Sequence, residues 1–487
     1  MFESKPFIYP FCTAGGCYVY DVNKNRIIRV SKETYVYLGG ETNELTPITE
    51  HEINKMRIEG FLSDKKYKNI LHPASKSLEN ILDSALQKIT LQVTQQCNLR
   101  CEYCIYSGDA GNYRNRTHQN KKMSLEMAKK GIDFLIAHSQ DSNKLNVGFY
   151  GGEPLLEFEL IKKCILYAKE QAEGKDISFY ITTNATLLTE EIIKYLYEND
   201  IMLTISLDGP KEIHNKNRKF AGSGAGSFDK IMENLETLKE RYPDYLNKIM
   251  FNAVMDPEAD FKCISEFFVN YDTIKDINQM ATMPSNNYAE ESINMDENFR
   301  ADYNYEFFKI FLNKLGRLNN KYVCKFNLAY FEKLKNTYHE KRTPTSGLHD
   351  FGHPGGPCIP GELRLFMNAD GVLYPCERVS ELSDVMKIGT IEKGFDIEKC
   401  QRILNIGKIT EKKCLNCWAF RYCSQCAALA DDTKNLTAEK RLQQCESTII
   451  DVEEYLKNYC TLLELGYDFE EEDDYPIIQV TKKQVEA

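Results

Sequence analysis

Cys97, Cys101 and Cys104 stand at CxxxCxxC spacing directly after a β-rich run at residues 89–94. Three thiolates at this spacing can hold three irons of a 4Fe–4S cluster, a cofactor that otherwise takes four cysteines. The fourth iron is then open to a substrate. A structural zinc site wants four closed ligands, and the next histidine along the chain is His118. Seven further cysteines crowd the C-terminal part: Cys358, Cys376, Cys414, Cys417, Cys423, Cys426 and Cys445. Among them are two CxxC pairs, which keep a zinc ribbon open as an alternative. These two groups take ten of the seventeen cysteines. In a large chain that opens without a basic and apolar export signal, clustered cysteines point to metal and not to disulfides. Cys12, Cys17, Cys164, Cys263, Cys324, Cys400 and Cys460 read as ordinary core or surface thiols.

The elements that must position these groups alternate between strand and helix. Apolar β-rich runs fall at residues 89–94, 145–150, 177–182, 202–207, 249–255 and, more weakly, 277–283. Amphipathic stretches at 124–138, 157–173, 190–197 and 228–241 separate them, with Ile161, Cys164, Ile165 and Ala168 at helical spacing on one face. Repeated β–α units imply an α/β fold with a parallel sheet and right-handed crossovers. Six units fall short of the eight of a closed barrel, so a partial (β/α)6 barrel is expected, with an open doubly wound sheet as the alternative. Catalytic groups in such barrels sit at the C-terminal ends of the strands, where the first cysteine group lies.

These residues resemble the radical SAM (S-adenosylmethionine) superfamily over roughly residues 88–284. Tyr103 stands where that family has an aromatic residue inside the cysteine motif. Gly151-Gly152-Glu153-Pro154 after the second strand is similar to the family's motif for the SAM amino group. Glycines allow close approach of backbone, and Glu153 can pair with an ammonium. Thr183-Asn184 ends the third strand as the family's TN pair does, with Ala185 in place of the usual glycine. Ser206-Leu207-Asp208-Gly209-Pro210 ends the fourth, followed by His214-Asn215 and Arg218. The resemblance implies that Ser206 and Arg218 hold the SAM carboxylate, that Asn184 lies near the ribose, and that the cluster on Cys97, Cys101 and Cys104 reduces SAM to a 5′-deoxyadenosyl radical. A surface ion pair is the other reading of Arg218.

The second cysteine group resembles the SPASM domain, which carries auxiliary 4Fe–4S clusters. One spacing departs from its pattern, since two residues and not three separate Cys423 from Cys426. The resemblance implies Cys414, Cys417, Cys423 and Cys445 on one fully ligated cluster. Cys358, Cys376 and Cys426 would hold another, whose last iron takes either a substrate thiolate or a residue such as Cys324. That makes three clusters in all.

Residues 1–85 read as a separate small α+β module, with a hairpin at 16–22 and 26–30 around an Asn23-Lys24-Asn25 turn and helix-prone sequence after it. It resembles a PqqD-like recognition domain, which implies that it binds the leader of a precursor peptide. The remaining divisions are a barrel at 86–285, a helical bridge at 286–354, a loop-rich iron–sulfur domain at 355–450 in which helical periodicity is lost, and a C-terminal helix with an acidic tail at 451–487. A net charge of −11 argues against nucleic acid, and no apolar run is long enough for a membrane span, so a cytoplasmic location is expected. The whole resembles maturases of ribosomally made peptides that form thioether cross-links from cysteine sulfur to carbon, as in sactipeptides and ranthipeptides. An electron donor such as ferredoxin or flavodoxin is implied. A carbon–carbon or carbon–oxygen cross-linking maturase, a formylglycine-forming sulfatase maturase and a non-enzymatic metal scaffold are the alternatives.

Overall fold

The computed structural model describes residues 4–106, 115–172, 174–289, 296–340, 342–469 and 478–479. Six strands form its centre: Lys88–Thr94, Lys144–Gly151, Asp176–Thr183, Met202–Ser206, Ile249–Val254 and Asn278–Thr282. They lie side by side in chain order and run parallel. The helices Leu125–Ala137, Phe158–Gln171, Glu190–Glu198, Phe228–Arg241 and Phe261–Asn270 fall between them in the chain. Three of these helices begin where a side chain can satisfy a free backbone N–H, with Ser124, Thr189 and Asp260 accepting from Met127, Ile192 and Cys263. A doubly wound sheet reverses its strand order at a switch point; this one does not reverse. Crossovers of one hand then place the helices on one face, which is the build of a partial barrel.

The sheet is mixed, against the expectation of a purely parallel one. On the free side of the first strand, Leu365–Met367 pairs parallel with it, and Val372–Tyr374, Gly389–Thr390 and Gly394–Phe395 follow antiparallel. Gly371 makes the tight return between the first two of these, at φ +79° with its N–H donating to the Asn368 carbonyl. The cysteine-rich region therefore joins the catalytic sheet directly. It is also more helical than its sequence suggests. Ile397–Leu404 buries Cys400, Ile403 and Leu404 on one face, a helix of eight residues, too short for its period to stand out. Ala438–Gln443 follows, and Cys445–Glu464 runs unbroken for 20 residues, so a boundary at 450 falls inside a helix.

The N-terminal segment has one strand more than expected. Ile8–Cys12 pairs antiparallel with Cys17–Asp21, which pairs in turn with Arg26–Val30. Pro10 hides the first strand in the sequence, and an edge strand is where proline is tolerated. Cys12 and Cys17 face each other in register and form a disulfide, not the free thiols expected. Nor is the module separate. One face of its sheet packs Val19 and Ile28 on Leu38, Ile53 and Met56 of its own helices Lys32–Gly39 and Pro47–Ile58. The other face puts Phe11, Tyr18 and Tyr20 into a core shared with Phe331, Tyr338, Tyr455 and Tyr459. Tyr9 also stacks on Trp418, with ring centroids 3.7 Å apart. Ile478–Gln479 lies parallel along the outer edge of Arg26–Val30. Of the acidic stretch at 468–474, residues 470–474 lie outside the described residues. Among the described residues no helix is long and apolar enough to cross a membrane.

Candidate active site

The loop after the first strand is short and closely held. Cys104 N–H donates to the Cys101 carbonyl at 3.1 Å, Leu99 N–H to the Cys97 sulfur at 3.4 Å, and the strand Leu99–Cys101 pairs antiparallel with Arg218–Phe220, setting Cys101 opposite Arg218. Burial pushes the Cys97 thiol up to about 12, and Glu153, Cys101 and Cys104 act on it as close neighbours. Burial likewise raises Cys101 to about 12, against the pull of Arg218, and it raises Cys104. Protonated in the bare protein, these thiols would release protons on taking up iron.

The two glycines after the second strand serve this loop. Gly152 N–H donates to the Thr94 carbonyl at 3.0 Å and Glu153 N–H to the Gln96 carbonyl at 2.7 Å. A Cβ on Gly152 would lie 1.9 Å from the Gln96 carbonyl oxygen and 2.9 Å from Cys97 N. Glycine is required here because backbone meets backbone. Glu153 is buried, and its carboxylate accepts from Leu155 N–H at 3.0 Å, Thr183 Oγ1 at 2.8 Å and Asn184 N–H at 2.8 Å. Burial pushes its acid up to about 7 against those three donors. It thus ties the end of the second strand to the end of the third. Asn184 extends the tie, donating from Nδ2 to Asn98 Oδ1 at 2.8 Å inside the cysteine motif. Ala185 is buried at φ +59°, which accounts for a glycine preference at this place. Ser206 ends the fourth strand half-buried, opposite Asn252.

Arg218 is engaged within the protein itself. Its Nε and Nη2 donate to Asp208 Oδ2 at 2.8 Å and Oδ1 at 3.1 Å, and both side chains are buried. Two of the nitrogens proposed for the SAM carboxylate are therefore committed to a protein carboxylate, and the pair is not at the surface. Tyr103 hydroxyl donates to the same Oδ2, and Val254 N–H to Oδ1 at 3.0 Å. Asp208 N–H donates to His214 Nδ1 at 3.3 Å, which leaves Nε2–H for Ser227 Oγ at 3.0 Å, and Ser227 hydroxyl donates to the Arg218 carbonyl at 3.0 Å. Sequence reading noted Asp208 and His214 in their motifs without giving either a task. The signal was an acid, a histidine and an arginine within eleven residues after a strand. His118 was noted only as the next histidine along the chain, yet the fold brings its Nε2 to 3.8 Å from the Cys104 sulfur.

The C-terminal cysteines fall into two sets. Burial raises Cys417 to about 11 and raises Cys423, and in each case Cys414 and Cys445 act as near neighbours, with Cys417 and Cys423 adjoining each other. Burial raises Cys426, on which Cys358 acts, and Cys376 to about 12, on which Cys426 acts. By surface, Cys358 and Cys426 are exposed while Cys376 and the four of the other set are half-buried, although the Cys426 thiol still has enough protein around it for burial to raise it. Cys324 is buried elsewhere, its thiol 3.5 Å from Gln279 on the sixth strand. No three His, Cys, Asp or Glu side chains among the described residues gather as a single metal ion requires. Iron–sulfur clusters spread their thiolates more widely around a cage, and another observation fits one here. Arg441 is 1% exposed, and its Nη1 and Nη2 have no hydrogen-bond partner.

Residues 91–267 match the Radical SAM superfamily. An uncharacterized protein of Methanocaldococcus jannaschii is 36% identical over 146 residues, 30% of this chain and 46% of that one, so the chain spans about half of it. The cysteine-type anaerobic sulfatase-maturating enzyme of Clostridium novyi is 26% identical over 356 residues, 70% of this chain and 87% of that one. In fold, the chain is similar to native anSMEcpe solved with bound AdoMet and Cp18Cys peptide, with a TM-score of 0.58 at 22% identity over 78% of this chain and 98% of that one. A parallel α/β sheet with three cysteines beyond its first strand and a glycine pair closing on them defines a radical SAM enzyme. Residues 91–267 of this chain are thus a radical SAM domain, and over 70% of its length the chain is similar to a sulfatase-maturating enzyme.

Proposed function

We propose that the protein is a radical SAM peptide maturase that joins a cysteine sulfur of its substrate to a carbon of the same peptide. The observation that carries this reading is the split of the seven C-terminal cysteines into a half-buried four and a largely exposed three. Four thiolates close a 4Fe–4S cluster, whereas three leave one iron for an outside ligand. A substrate cysteine, bound there as thiolate, would be held at a fixed place. Tyr150 at the end of the second strand supports this placement. Cys104 and, beside Cys376, Glu377 and Arg378 all act on its hydroxyl.

In this proposal Cys97, Cys101 and Cys104 hold the cluster that binds SAM, and three clusters are present in all. When bound, that cluster and SAM would supply the chemistry of hydrogen-atom abstraction from an unactivated carbon. The protein's own residues do the positioning. Gly151 and Gly152 bring the second strand against the cysteine loop, Glu153 and Asn184 fix the third strand to it, and Ser206 with the remaining Arg218 nitrogen would hold the SAM carboxylate. The N-terminal module would take the leader as an added strand at a sheet edge. Since Ile478–Gln479 already lies along Arg26–Val30, a leader using that edge must displace it. Electrons come from a ferredoxin- or flavodoxin-type donor.

Formylglycine formation is the second reading, favoured by the length shared with the Clostridium novyi enzyme. One experiment separates the two. The reconstituted enzyme is given SAM, a reductant and a short cysteine-containing precursor peptide, and the product is weighed at high resolution. Loss of two hydrogens per link, with the cysteine no longer alkylable, supports the thioether. A product that has lost sulfur and gained a carbonyl supports formylglycine. Cysteines that all remain alkylable in an otherwise unchanged peptide overturn both.

A further inference from the structure

Arg441 has the least solvent of any arginine described and the least adequate set of partners. Its Nε donates to Thr410 Oγ1 at 3.2 Å, while Nη1 and Nη2 are buried and unpaired. A buried guanidinium without a counter-charge costs several kcal/mol even after relaxation, about what a fold loses on breaking a buried ion pair. A chain that keeps one there has an anion to set against it. Among the described residues no Asp or Glu is hydrogen-bonded to Arg441. Its surroundings are the cysteines: Thr410 Oγ1 is 3.2 Å from Cys414 Sγ, the Cys445 thiol donates to the Arg441 carbonyl at 3.9 Å, and the charge of Arg441 bears on both Cys423 and Cys426. One member comes from the set of three and the others from the set of four. Cys445 itself opens a 20-residue helix, whose N-terminal end favours a thiolate.

We infer that Arg441 is the shared counter-charge of the C-terminal iron–sulfur centres, donating through Nη1 and Nη2 to their sulfur and setting their reduction potential. This rests on the auxiliary-cluster reading above. Thiolate-ligated clusters are anionic and gain a further negative charge on reduction, so a fixed cation raises the potential, as hydrogen bonds to sulfur also do. A purely packing role for the side chain would leave the potential where it is.

The test uses the full chain, reconstituted anaerobically, with Cys97, Cys101 and Cys104 replaced by alanine so that only the C-terminal centres report. Iron is counted, and midpoints are read by spectroscopically monitored redox titration for this background and for the same protein carrying Arg441→Met or Arg441→Lys. Expected are about eight irons in the background, for two four-iron clusters. With Arg441→Met, at least one midpoint falls by tenfold in the reduction equilibrium, 59 mV for one electron, and Arg441→Lys recovers most of it. Loss of iron in Arg441→Met but not in Arg441→Lys supports the inference equally. Unchanged midpoints at unchanged iron in Arg441→Met overturn it while leaving the cluster reading intact, and so does equal iron loss in both variants. A background that holds no iron overturns the cluster reading itself, and the inference with it.

Discussion

Asp208 and Arg218 meet as a buried two-pronged ion pair, Nε to Oδ2 at 2.8 Å and Nη2 to Oδ1 at 3.1 Å, directly behind the loop that carries Cys101. Planar guanidinium against planar carboxylate fixes the orientation of both. Tyr103 joins the same carboxylate, so the middle of the cysteine motif and the end of the fourth strand are held by one acid.

Asp208→Asn leaves the Arg218 charge buried with one anion fewer. The fold should lose about 3–5 kcal/mol, the range for breaking one side of a buried pair, read as a shift in denaturant midpoint at unchanged slope. Arg218→Lys, which keeps the charge but not the fork, should also be destabilised. Equal stability of both variants and the parent would show that the pair is energetically idle.

His214 gives the stability a pH dependence of known sign. Burial, with Arg218 adding to it and Asp208 opposing it, holds its folded pKa at about 4, below the usual 6.5. Between those values the unfolded chain binds a proton that the folded chain refuses, so the contribution is present above pH 6.5 and is lost as pH falls toward 4. About 2.5 units correspond to about 3 kcal/mol. In His214→Gln, the slope of stability between pH 4 and 6.5 should flatten by that amount, as measured by denaturant unfolding across the window.

Gly152→Ala forces a methyl to within 1.9 Å of a backbone oxygen that cannot turn aside. Overpacking of this kind costs about 1–3 kcal/mol, and because it moves Gln96 and Cys97 it should also lower the iron retained on the first cysteine group. Gly222→Ala, where nothing lies within 4 Å of the added carbon, is the control and should match the parent in both iron and melting temperature.

Ala185→Gly sets two terms against each other. Relief of a left-handed backbone is worth about 1–2 kcal/mol, while the lost buried methyl and the greater freedom of the unfolded glycine cost roughly 0.8 and 0.5–1 kcal/mol. The net change should be within about 1 kcal/mol of zero by denaturant unfolding. A large loss would mean that the methyl packs better than its area suggests.

Cys324→Ala should leave iron content and the cluster spectrum unchanged, since the thiol lies against Gln279 in the barrel core. If the proposed auxiliary cluster sits on Cys358, Cys376 and Cys426, Cys376→Ala should remove about four irons.

The barrel strands were legible because each is a short apolar run ended by a recognisable turn, and the structure places them within a residue or two of their expected bounds. The grouping of the first three cysteines was legible for the same reason, since ligands within one loop are near in sequence. What escaped involves contacts that sequence distance conceals. His118 meets Cys104 from 14 positions further along the chain, and nothing in the residues between announces it. Arg218 looked available because its partner, Asp208, sat inside a motif already given another meaning. The strand Ile8–Cys12 was hidden by a proline that only its edge position excuses, and the disulfide at its end went with it. The joining of Leu365–Met367 to the first barrel strand has no local signature, because three apolar residues specify neither a neighbour nor a direction.

That last pairing bears on how the chain is made. Lys88–Thr94 emerges from the ribosome early and finds Lys144–Gly151 soon after, yet its other side waits for Leu365, about 270 residues further along. Throughout that interval the unpaired edge of this strand stands open, and such edges pair with whatever chain is nearest. Supply of the C-terminal half therefore decides the yield of the N-terminal half. A stalled or truncated transcript should give insoluble protein, and the cysteine-rich region should act in synthesis as an intramolecular chaperone for the barrel.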